Sequence, residues 1–182
     1  AHSKHVPEWV KGIPTDYRYA LLEGYWHGDG NLKHHASGTH VTLNWVSVSR
    51  QLLRDMQDVL LSCGIFGAVK RLRGAGWTTF RGKPVKTVEA YELGVAGTGT
   101  QQLAVAWGMS DQFPAPKHRS RRYSSVSRGY AFVRVHRVGE ATFDGTVHNF
   151  ETETHSYCAQ LMTVHNCDVA GGSASGNYST CH

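Results

Sequence analysis

The sequence has no long apolar run and no closely spaced pair of cysteines, and each absence excludes a class of protein. No segment approaches the roughly 18 apolar residues that a membrane-spanning helix needs. The first residues, AHSKHVPEWV, contain neither a signal-peptide apolar region nor an initiator methionine. The four cysteines show neither disulfide-framework nor zinc-knuckle spacing. We expect a cytoplasmic protein without membrane contact, and an internal fragment of a longer chain.

The composition predicts a folded core and a mild preference for anionic partners. Of 182 residues, 40% are hydrophobic and 18% are charged, which excludes a disordered or collagen-like chain. Lysine and arginine number 19 against 14 aspartate and glutamate, for a formal net charge of +5. A net positive charge is compatible with nucleic-acid binding. The location of the basic residues decides whether the charge indicates such binding.

The first strong periodicity predicts a helix that ends in a glycine-rich turn. Residues 16–28, DYRYALLEGYWHG, repeat apolar side chains at helical spacing behind Thr15, which is suited to be an N-cap. We expect this helix to stop in a turn at Gly28-Asp29-Gly30.

Strand and helix patterns then alternate as far as residue 112. THVTLNWVSV alternates as a strand does, and SRQLLRDMQDVLLSCG has helical spacing, with Ser49 as N-cap and Gly64 as terminating glycine. IFGAVKRLR and KTVEAYELGVAG read as two strands joined by a polar loop at 74–85, before a short helix, TGTQQLAVAW. The expected fold class is α+β, with the order α-β-β-α-β-β-α within residues 1–112.

The composition changes three times after residue 112. Residues 113–128 are rich in proline, serine and basic side chains, which predicts a linker. Residues 129–166 carry short alternating pieces, as in an all-β unit too small to hold a core alone. Residues 167–182 are small and rich in glycine and serine, and we expect no independent fold there.

The segment LLEGYWHGDG places an acid where helix electrostatics disfavours one. Gly24 and Gly28 lie four residues apart on one helix face, so two such helices could approach closely. Asp29 follows them at the helix C-terminus, where the macrodipole repels a carboxylate and a cation would stabilise it. Two equivalent helices would bring two aspartates together to hold Mg²⁺ against a phosphodiester for metal-assisted hydrolysis. The alternative is a helix-ending turn without chemistry, because Asp-Gly is common in turns.

Residues 22–30, LEGYWHGDG, resemble the LAGLIDADG motif of homing endonucleases in its intein-borne form. Glu23 and His27 depart from the family's nine letters at variable positions, and the metal-binding acid is retained as Asp29. The resemblance extends to LSCGIFGAVKR and AYELGVAG, and it implies one full repeat of that fold. It also implies cleavage of double-stranded DNA, with Mg²⁺ at Asp29 and a second acid in a repeat upstream of this chain.

The basic residues of this repeat are the expected contacts to DNA phosphates. In the family's fold, the strands and loop after the second helix face DNA. Six basic residues lie there: Lys70, Arg71, Arg73, Arg81, Lys83 and Lys86. The alternative interpretation is a solvated hairpin.

A second group of reactive residues lies near the C-terminus. The side-chain amide of Asn166 can attack its own backbone carbonyl, form a succinimide and cut the chain, if a neighbour protonates the leaving amine. His165 can supply that proton, and the thiolate of Cys167 can accept an acyl group. A loop tripeptide without chemistry is the alternative for a bare His-Asn-Cys.

The sequence RVHRVGEATFDGTVHNFETETHSYCAQLMTVHNC resembles the C-terminal splicing segment of inteins, which is the C-terminal β part of a Hint domain. The resemblance implies that Asn166 is the cyclising asparagine, His165 the penultimate histidine and His155 the histidine of the preceding segment. It makes Cys167 the first residue of the downstream host protein, and Asn149 stands where many inteins have aspartate. Such splicing requires no cofactor. Its partners are an N-terminal intein portion and the flanking host segments, or exteins.

The residues after Cys167 resemble the opening of an RNase H-like nuclease, in wording most like a phage terminase large subunit. Asp168 would then be a metal ligand of the host enzyme, and the cell a phage-infected or other microbial host. Two alternatives to the whole interpretation stay open. One is a DNA-binding repeat that has lost cutting activity and acts as a scaffold for splicing. The other is the C-terminal half of a natural split intein.

Overall fold

The computed structural model describes residues 2–34, 41–113, 123–127, 130–133, 135, 137–146, 152–154, 156–159 and 162–165. The chain divides into two compact units, Ala1–His136 and Arg137–His182. No helix in the described residues combines the length and the apolar character needed to cross a bilayer.

The first unit is a mixed α+β domain built on an antiparallel sheet. Its elements are α1 (Glu8–Lys11), α2 (Thr15–Asp29), β1 (Gly30–His34), β2 (Val41–Ser47), α3 (Arg50–Ser62), β3 (Gly67–Arg73), β4 (Gly76–Phe80), β5 (Lys83–Thr87), β6 (Ala90–Ala96), α4 (Thr98–Ala106) and a 3-10 turn at Ser110–Gln112. The sheet has the strand order β1-β2-β6-β3, and β4 and β5 form a separate two-stranded ribbon. The predicted order of elements is confirmed, with the ribbon inserted between β3 and β6.

The helices cover one face of the four-stranded sheet. Leu43 and Trp45 of β2 and Leu93 of β6 are fully buried on this face, every second residue along each strand. Helix α3 packs its apolar stripe onto them, and this stripe contains Leu53, Met56, Val59 and Leu60. Each such side chain stabilises the fold by about 1.5–3 kcal/mol through its removal from water.

Both predicted ends of helix α3 are confirmed. The Ser49 hydroxyl accepts a hydrogen bond from the amide of Leu52 at 3.2 Å, as an N-cap side chain does. Gly64 has a φ of +73°, and the Ile65 amide donates to the Leu60 carbonyl at 2.9 Å. That pairing is the Schellman ending, which favours glycine because a side chain is strained at this φ.

Both predicted ends of helix α2 are wrong by one or two residues. The Pro14 carbonyl already accepts from the Arg18 amide at 3.2 Å, so Pro14 is the N-cap and Thr15 lies inside the first turn. At the other end, helical residues continue through Asp29, and Gly30 opens strand β1 directly. The glycines therefore do not form a separate turn, because pairing of β1 with β2 begins at Gly30 itself.

A β-ribbon lies where a polar loop was predicted at 74–85. Strands β4 and β5 pair over their whole length and extend the β3–β6 pair outward. Arg81 and Gly82 form the two-residue turn, with φ of +51° and +77°. Positive φ at both positions is typical of the hairpin turn whose twist matches that of its strands. The polar composition indicated exposure correctly, and the backbone pairing of the two flanks was missed.

Short strands also occur beyond residue 113. Strand β7 (Tyr123–Ser127) lies inside the predicted linker and pairs with β8 (Tyr130–Val133). In the second unit, β9 (Ser156–Ala159) and β10 (Met162–His165) form an antiparallel hairpin. Residues 137–146 have no regular structure. The assembly of 129–166 into part of a Hint domain stays a prediction.

Candidate nucleic-acid interface

Asp29 is the last residue of helix α2 and is exposed to solvent. The half-buried Tyr25 lies one turn earlier, and its hydroxyl interacts with Ser47 at the end of β2. Burial raises the pKa of Tyr25, the hydrogen bond with Ser47 lowers it, and the negative charge of Asp29 raises it further. The carboxylate thus lies at the negative end of the helix dipole, next to a neutral phenol, where an added cation would be stabilised.

Gly30 and Trp26 fix the backbone next to Asp29. A Cβ atom at Gly30 would lie 2.1 Å from Cδ1 of the Trp26 ring, so no side chain fits there. The Trp26 ring stacks on that of Trp107 with centroids 5.6 Å apart, and the indole N–H of Trp107 donates to the Tyr19 carbonyl at 3.1 Å. This aromatic packing holds the C-terminal turn of α2 in place.

One face of helix α2 has no partner in the described residues. A Cβ atom added at Gly24 or Gly28 would meet no heavy atom within 4 Å. Tyr17 and Ala20 continue this exposed strip toward the start of the helix. Glycine inside a helix costs about 0.5–1 kcal/mol relative to alanine. The packing of the residues that the structure describes does not explain why the two glycines are there.

Asp29 can contribute one carboxylate to a divalent cation. Within the described part of the chain, no group of three histidine, cysteine, aspartate or glutamate side chains converges. Magnesium in proteins is commonly held by one or two carboxylates, with the other positions filled by water and phosphate oxygens. An exposed carboxylate at a helix C-terminus fits one half of such a site.

The sheet face opposite the helices carries few uncompensated cations. Lys33 and Lys70 lie on this face by strand alternation, on β1 and β3. The Lys70 Nζ atom pairs with the carboxylate of the buried Glu92 at 3.3 Å. Lys70 is therefore positioned as predicted from its strand, but Glu92 neutralises much of its charge.

Arg71 and Arg73 lie apart from Lys70. Arg71 alternates to the helix-covered side, where its Nε atom pairs with Glu89 at 2.7 Å. Arg50, at the start of α3, approaches the ring of Tyr91 at 5.7 Å beside it. The Nε atom of Arg73 donates to the Val88 carbonyl at 3.4 Å, at the base of the ribbon. The predicted basic cluster is thus divided between two sides of the sheet and the ribbon.

Three of the six basic residues predicted to contact DNA lie on the β4–β5 ribbon. Lys83 and Lys86 are on β5 and Arg81 is in the turn, and all three are exposed. No acidic residue occurs between Arg73 and Val88. Two aromatic residues of the ribbon were not singled out from the sequence, Trp77 and Phe80. The signal was available, since GWTTFRGKPVK interleaves aromatic and basic residues around a hairpin turn.

The predicted splicing residues fall mostly outside the described residues, where His155, Asn149, Asn166 and Cys167 lie. The backbone of His165 closes strand β10, opposite Ser156 of β9. The Thr152 hydroxyl accepts from the Ser156 amide at 3.0 Å and donates to the Ser156 carbonyl at 3.0 Å. A single hydroxyl therefore satisfies the backbone of Ser156 on the side facing away from β10.

Residues 16–95 match the family described as "LAGLIDADG-like domain". The match begins in helix α2 and ends in strand β6, so it contains the whole four-stranded sheet, the β4–β5 ribbon and Asp29. The chain thus contains a LAGLIDADG-like domain at residues 16–95.

Three curated proteins are similar to nearly the whole chain. An iron–sulfur cluster assembly SufBD family protein of Mycobacterium leprae is 28% identical over 96% of this chain and 19% of its own length. An ATP-dependent DNA helicase of Thermococcus kodakarensis is 25% identical over 83% of this chain and 13% of its own. A DNA polymerase of Thermococcus litoralis is 23% identical over 91% and 10%. The chain spans only about a tenth to a fifth of the length of these relatives.

Proposed function

We propose that the chain carries one repeat of a homing-type endonuclease that cuts double-stranded DNA. The observation that carries this proposal is the LAGLIDADG-like domain at 16–95, in which Asp29 ends a helix with an unpartnered glycine face. A helix with Gly24 and Gly28 exposed can approach a second such helix closely. That approach would bring a second carboxylate to Asp29 and explain two glycines that the packing of the described residues does not use.

Each element has a distinct part in this proposal. Asp29 would hold Mg²⁺, which supplies positive charge to a phosphodiester and to the water that attacks it. Lys83, Lys86 and Arg81 bind DNA phosphates and set the position of the duplex. Trp26 and Gly30 hold the end of α2 in place and thereby fix the position of the Asp29 carboxylate.

Selection from a pool of randomised duplexes tests this proposal. We expect the chain to enrich specific duplexes, and Asp29→Asn to bind them as tightly as wild type because the change leaves the ribbon intact. Nicking of the selected duplexes in Mg²⁺, with an upstream repeat supplied, should then require Asp29. Absence of any enriched duplex contradicts the proposal. Enrichment without nicking by wild type supports the scaffold alternative instead.

We propose protein splicing as a second function of the chain, supported by the three relatives. Their names describe an iron–sulfur assembly protein, a helicase and a polymerase, which share no single activity. Each nevertheless aligns with 83–96% of this chain through only 10–19% of its own length. A segment common to unrelated proteins is expected of an element inserted into a host, and such an element must leave by splicing to restore the host.

The register of the β9–β10 hairpin is compatible with this chemistry. Its last pair is Ser156 opposite His165. His155 precedes Ser156 in the sequence and Asn166 follows His165. The paired segment therefore begins one residue after His155 and ends one residue before Asn166 in the sequence.

The proposed reaction uses only side chains of the chain. The amide nitrogen of Asn166 attacks its own carbonyl carbon, the peptide bond to Cys167 breaks, and a succinimide remains. His165 and His155 would polarise that carbonyl and protonate the leaving amine of Cys167. In the full precursor, the thiolate of Cys167 would first accept the upstream acyl chain. Asn149 can offer a hydrogen bond where many inteins have a carboxylate.

Intact-mass spectrometry of the purified chain near neutral pH tests the second function. We expect slow loss of the peptide Cys167–His182 and a succinimide mass on the remainder, abolished in Asn166→Ala. The same measurement is repeated with an N-terminal intein portion added, which completes the splicing site if the reaction requires that portion. Release that persists in Asn166→Ala, or no release even with that portion added, contradicts splicing.

A further inference from the structure

The β4–β5 ribbon exposes large aromatic side chains for which the domain's own core provides no cover. Trp77 is 74% exposed and Phe80 is 63% exposed. The strands of the ribbon are five residues long, about 17 Å, and they form a sheet separate from the four-stranded one. Exposed aromatic surface next to several cations indicates a ligand that is both anionic and aromatic.

The two faces of the ribbon differ in what already covers them. On one face, the Arg81 guanidinium lies 5.3 Å from the centroid of the Phe80 ring, in a cation–π contact. On the other face, Trp77 lies directly opposite Lys86 and has no ring contact with any described residue. The Trp77 indole is therefore the largest uncovered apolar group on the ribbon, and a cation stands beside it.

The charge of the ribbon indicates which class of ligand binds over Trp77. Arg81, Lys83 and Lys86 surround the aromatic residues, and no acid lies between residues 73 and 88 to compensate them. An apolar protein partner would have to bury these cations without counter-charges, which is costly. Duplex DNA supplies phosphates for the cations, and base edges with the thymine methyl group for the indole. A two-stranded β-ribbon also has the width that the major groove of about 12 Å admits.

We propose that Trp77 packs its indole against the bases of bound duplex DNA and supplies a part of the binding energy that does not depend on salt. The proposal rests on the DNA-binding function given above and names the residue that contacts the bases. Lys86, next to Trp77 across the ribbon, contacts a phosphate of the same site. Trp77 thereby adds an apolar contact to the bases, and the cations hold the duplex.

Salt dependence of DNA binding separates these two roles. Using duplexes selected by wild type, we expect Trp77→Ala to weaken binding by about 10-fold or more with an unchanged slope of log affinity against log salt. Lys86→Ala should lower that slope by about one unit. Trp9→Ala is a matched control, because Trp9 is 73% exposed and belongs to α1 rather than to the ribbon. Its affinity should stay within about 2-fold of wild type.

Tryptophan fluorescence gives a second measurement that does not depend on affinity. Contact with a base quenches indole emission, so saturation with DNA should quench the emission of wild type and of Trp9→Phe, and should quench that of Trp77→Phe much less. Equal circular dichroism spectra and equal Tm values show that each variant is folded.

Each remaining outcome has one meaning. If wild type selects no duplex, the DNA-binding function itself fails. If wild type binds and Trp77→Ala behaves as Trp9→Ala does, DNA binding stands and the role of Trp77 is overturned. A change in oligomeric state in Trp77→Ala, without a change in affinity, identifies a second copy of the chain as the partner and also overturns it.

Discussion

The glycines around Asp29 differ in the space available to a side chain. Gly24 and Gly28 have open space where a Cβ atom would lie, whereas Gly30 has the Trp26 ring and carbonyl there. The backbone φ of Gly30 is −85°, so its requirement is steric rather than conformational. One glycine is therefore needed by the fold, and the packing of the described residues makes no use of the other two.

Alanine substitutions should separate these two kinds of glycine. Gly24→Ala should raise the free energy of unfolding by about 0.5–1 kcal/mol, because alanine favours the helix and nothing obstructs its methyl group. Gly30→Ala should lower it by about 1–3 kcal/mol, since the methyl group must displace Trp26. Denaturant unfolding of both variants measures the difference. A loss of stability in Gly24→Ala would show that this helix face is already packed.

At the scale of elements, the two-residue turn of the ribbon contains a position where glycine or asparagine would fit better than the residue that is there. Arg81 is the one described non-glycine residue with positive φ, at +51°. A side chain other than asparagine or aspartate is disfavoured there. An arginine at a strained backbone position indicates that its charge makes a functional contact. Such a contact is the cation–π interaction with Phe80, or an ion pair with a phosphate.

Arg81→Asn should therefore improve the turn and impair the interface. We expect the free energy of unfolding to stay unchanged or rise by a few tenths of a kcal/mol, because asparagine favours this turn geometry. Affinity for the selected duplexes should fall, and the slope of log affinity against log salt should drop by about one unit. Lys4→Asn, which removes an exposed charge far along the sequence from the ribbon, is the control. An unchanged salt slope in Arg81→Asn would exclude a phosphate contact.

At the scale of the whole first unit, a polar network ties residues 2–13 to helix α3. The buried Asp55 accepts a hydrogen bond from the Val6 amide at 3.0 Å and pairs with Lys11 at 3.3 Å. Lys11 also pairs with Glu8 at 3.0 Å and with Asp58 at 3.1 Å. The segment that leads into helix α2 is thus held by a buried carboxylate, and it fixes where the helix begins.

Lys11→Met should destabilise this unit in a pH-dependent way. Its hydrogen bond to Glu8, and those to Asp58 and Asp55, raise the pKa of Lys11 despite partial burial. Such a lysine stabilises the fold fully below its ordinary pKa of 10.5, and the contribution declines as pH rises through the higher folded value.

We expect a loss of about 1–2 kcal/mol in Lys11→Met, because the buried Asp55 keeps its other hydrogen bonds and loses only its cation. This loss should be constant between about pH 6 and 9 and should shrink above the ordinary lysine pKa. Urea unfolding at several pH values measures it. Glu8→Gln is the control and should cost less, since Glu8 is exposed. A loss that grows with pH above 10.5 would contradict this account.

Local sequence patterns determined the elements that depend on near neighbours. The cap at Ser49, the end at Gly64 and the order of helices and strands followed from spacing and from glycine chemistry, which act within a few residues. The motif at residues 22–30 indicated the LAGLIDADG-like domain that residues 16–95 match.

Only the tertiary structure decided which residues share a surface. Arg71 and Lys70 are neighbours in sequence, but strand alternation sends them to opposite faces, where Glu89 and Glu92 pair with them. Pairing of the flanks of residues 74–85 made a ribbon, because their polar composition alone does not distinguish exposed strands from a loop. The need for Gly30 likewise comes from the ring of Trp26, and the exposure of Trp77 comes from its place in a sheet separate from the four-stranded one. Burial, charge pairing and close approach depend on the three-dimensional arrangement of the chain, which a local pattern does not contain.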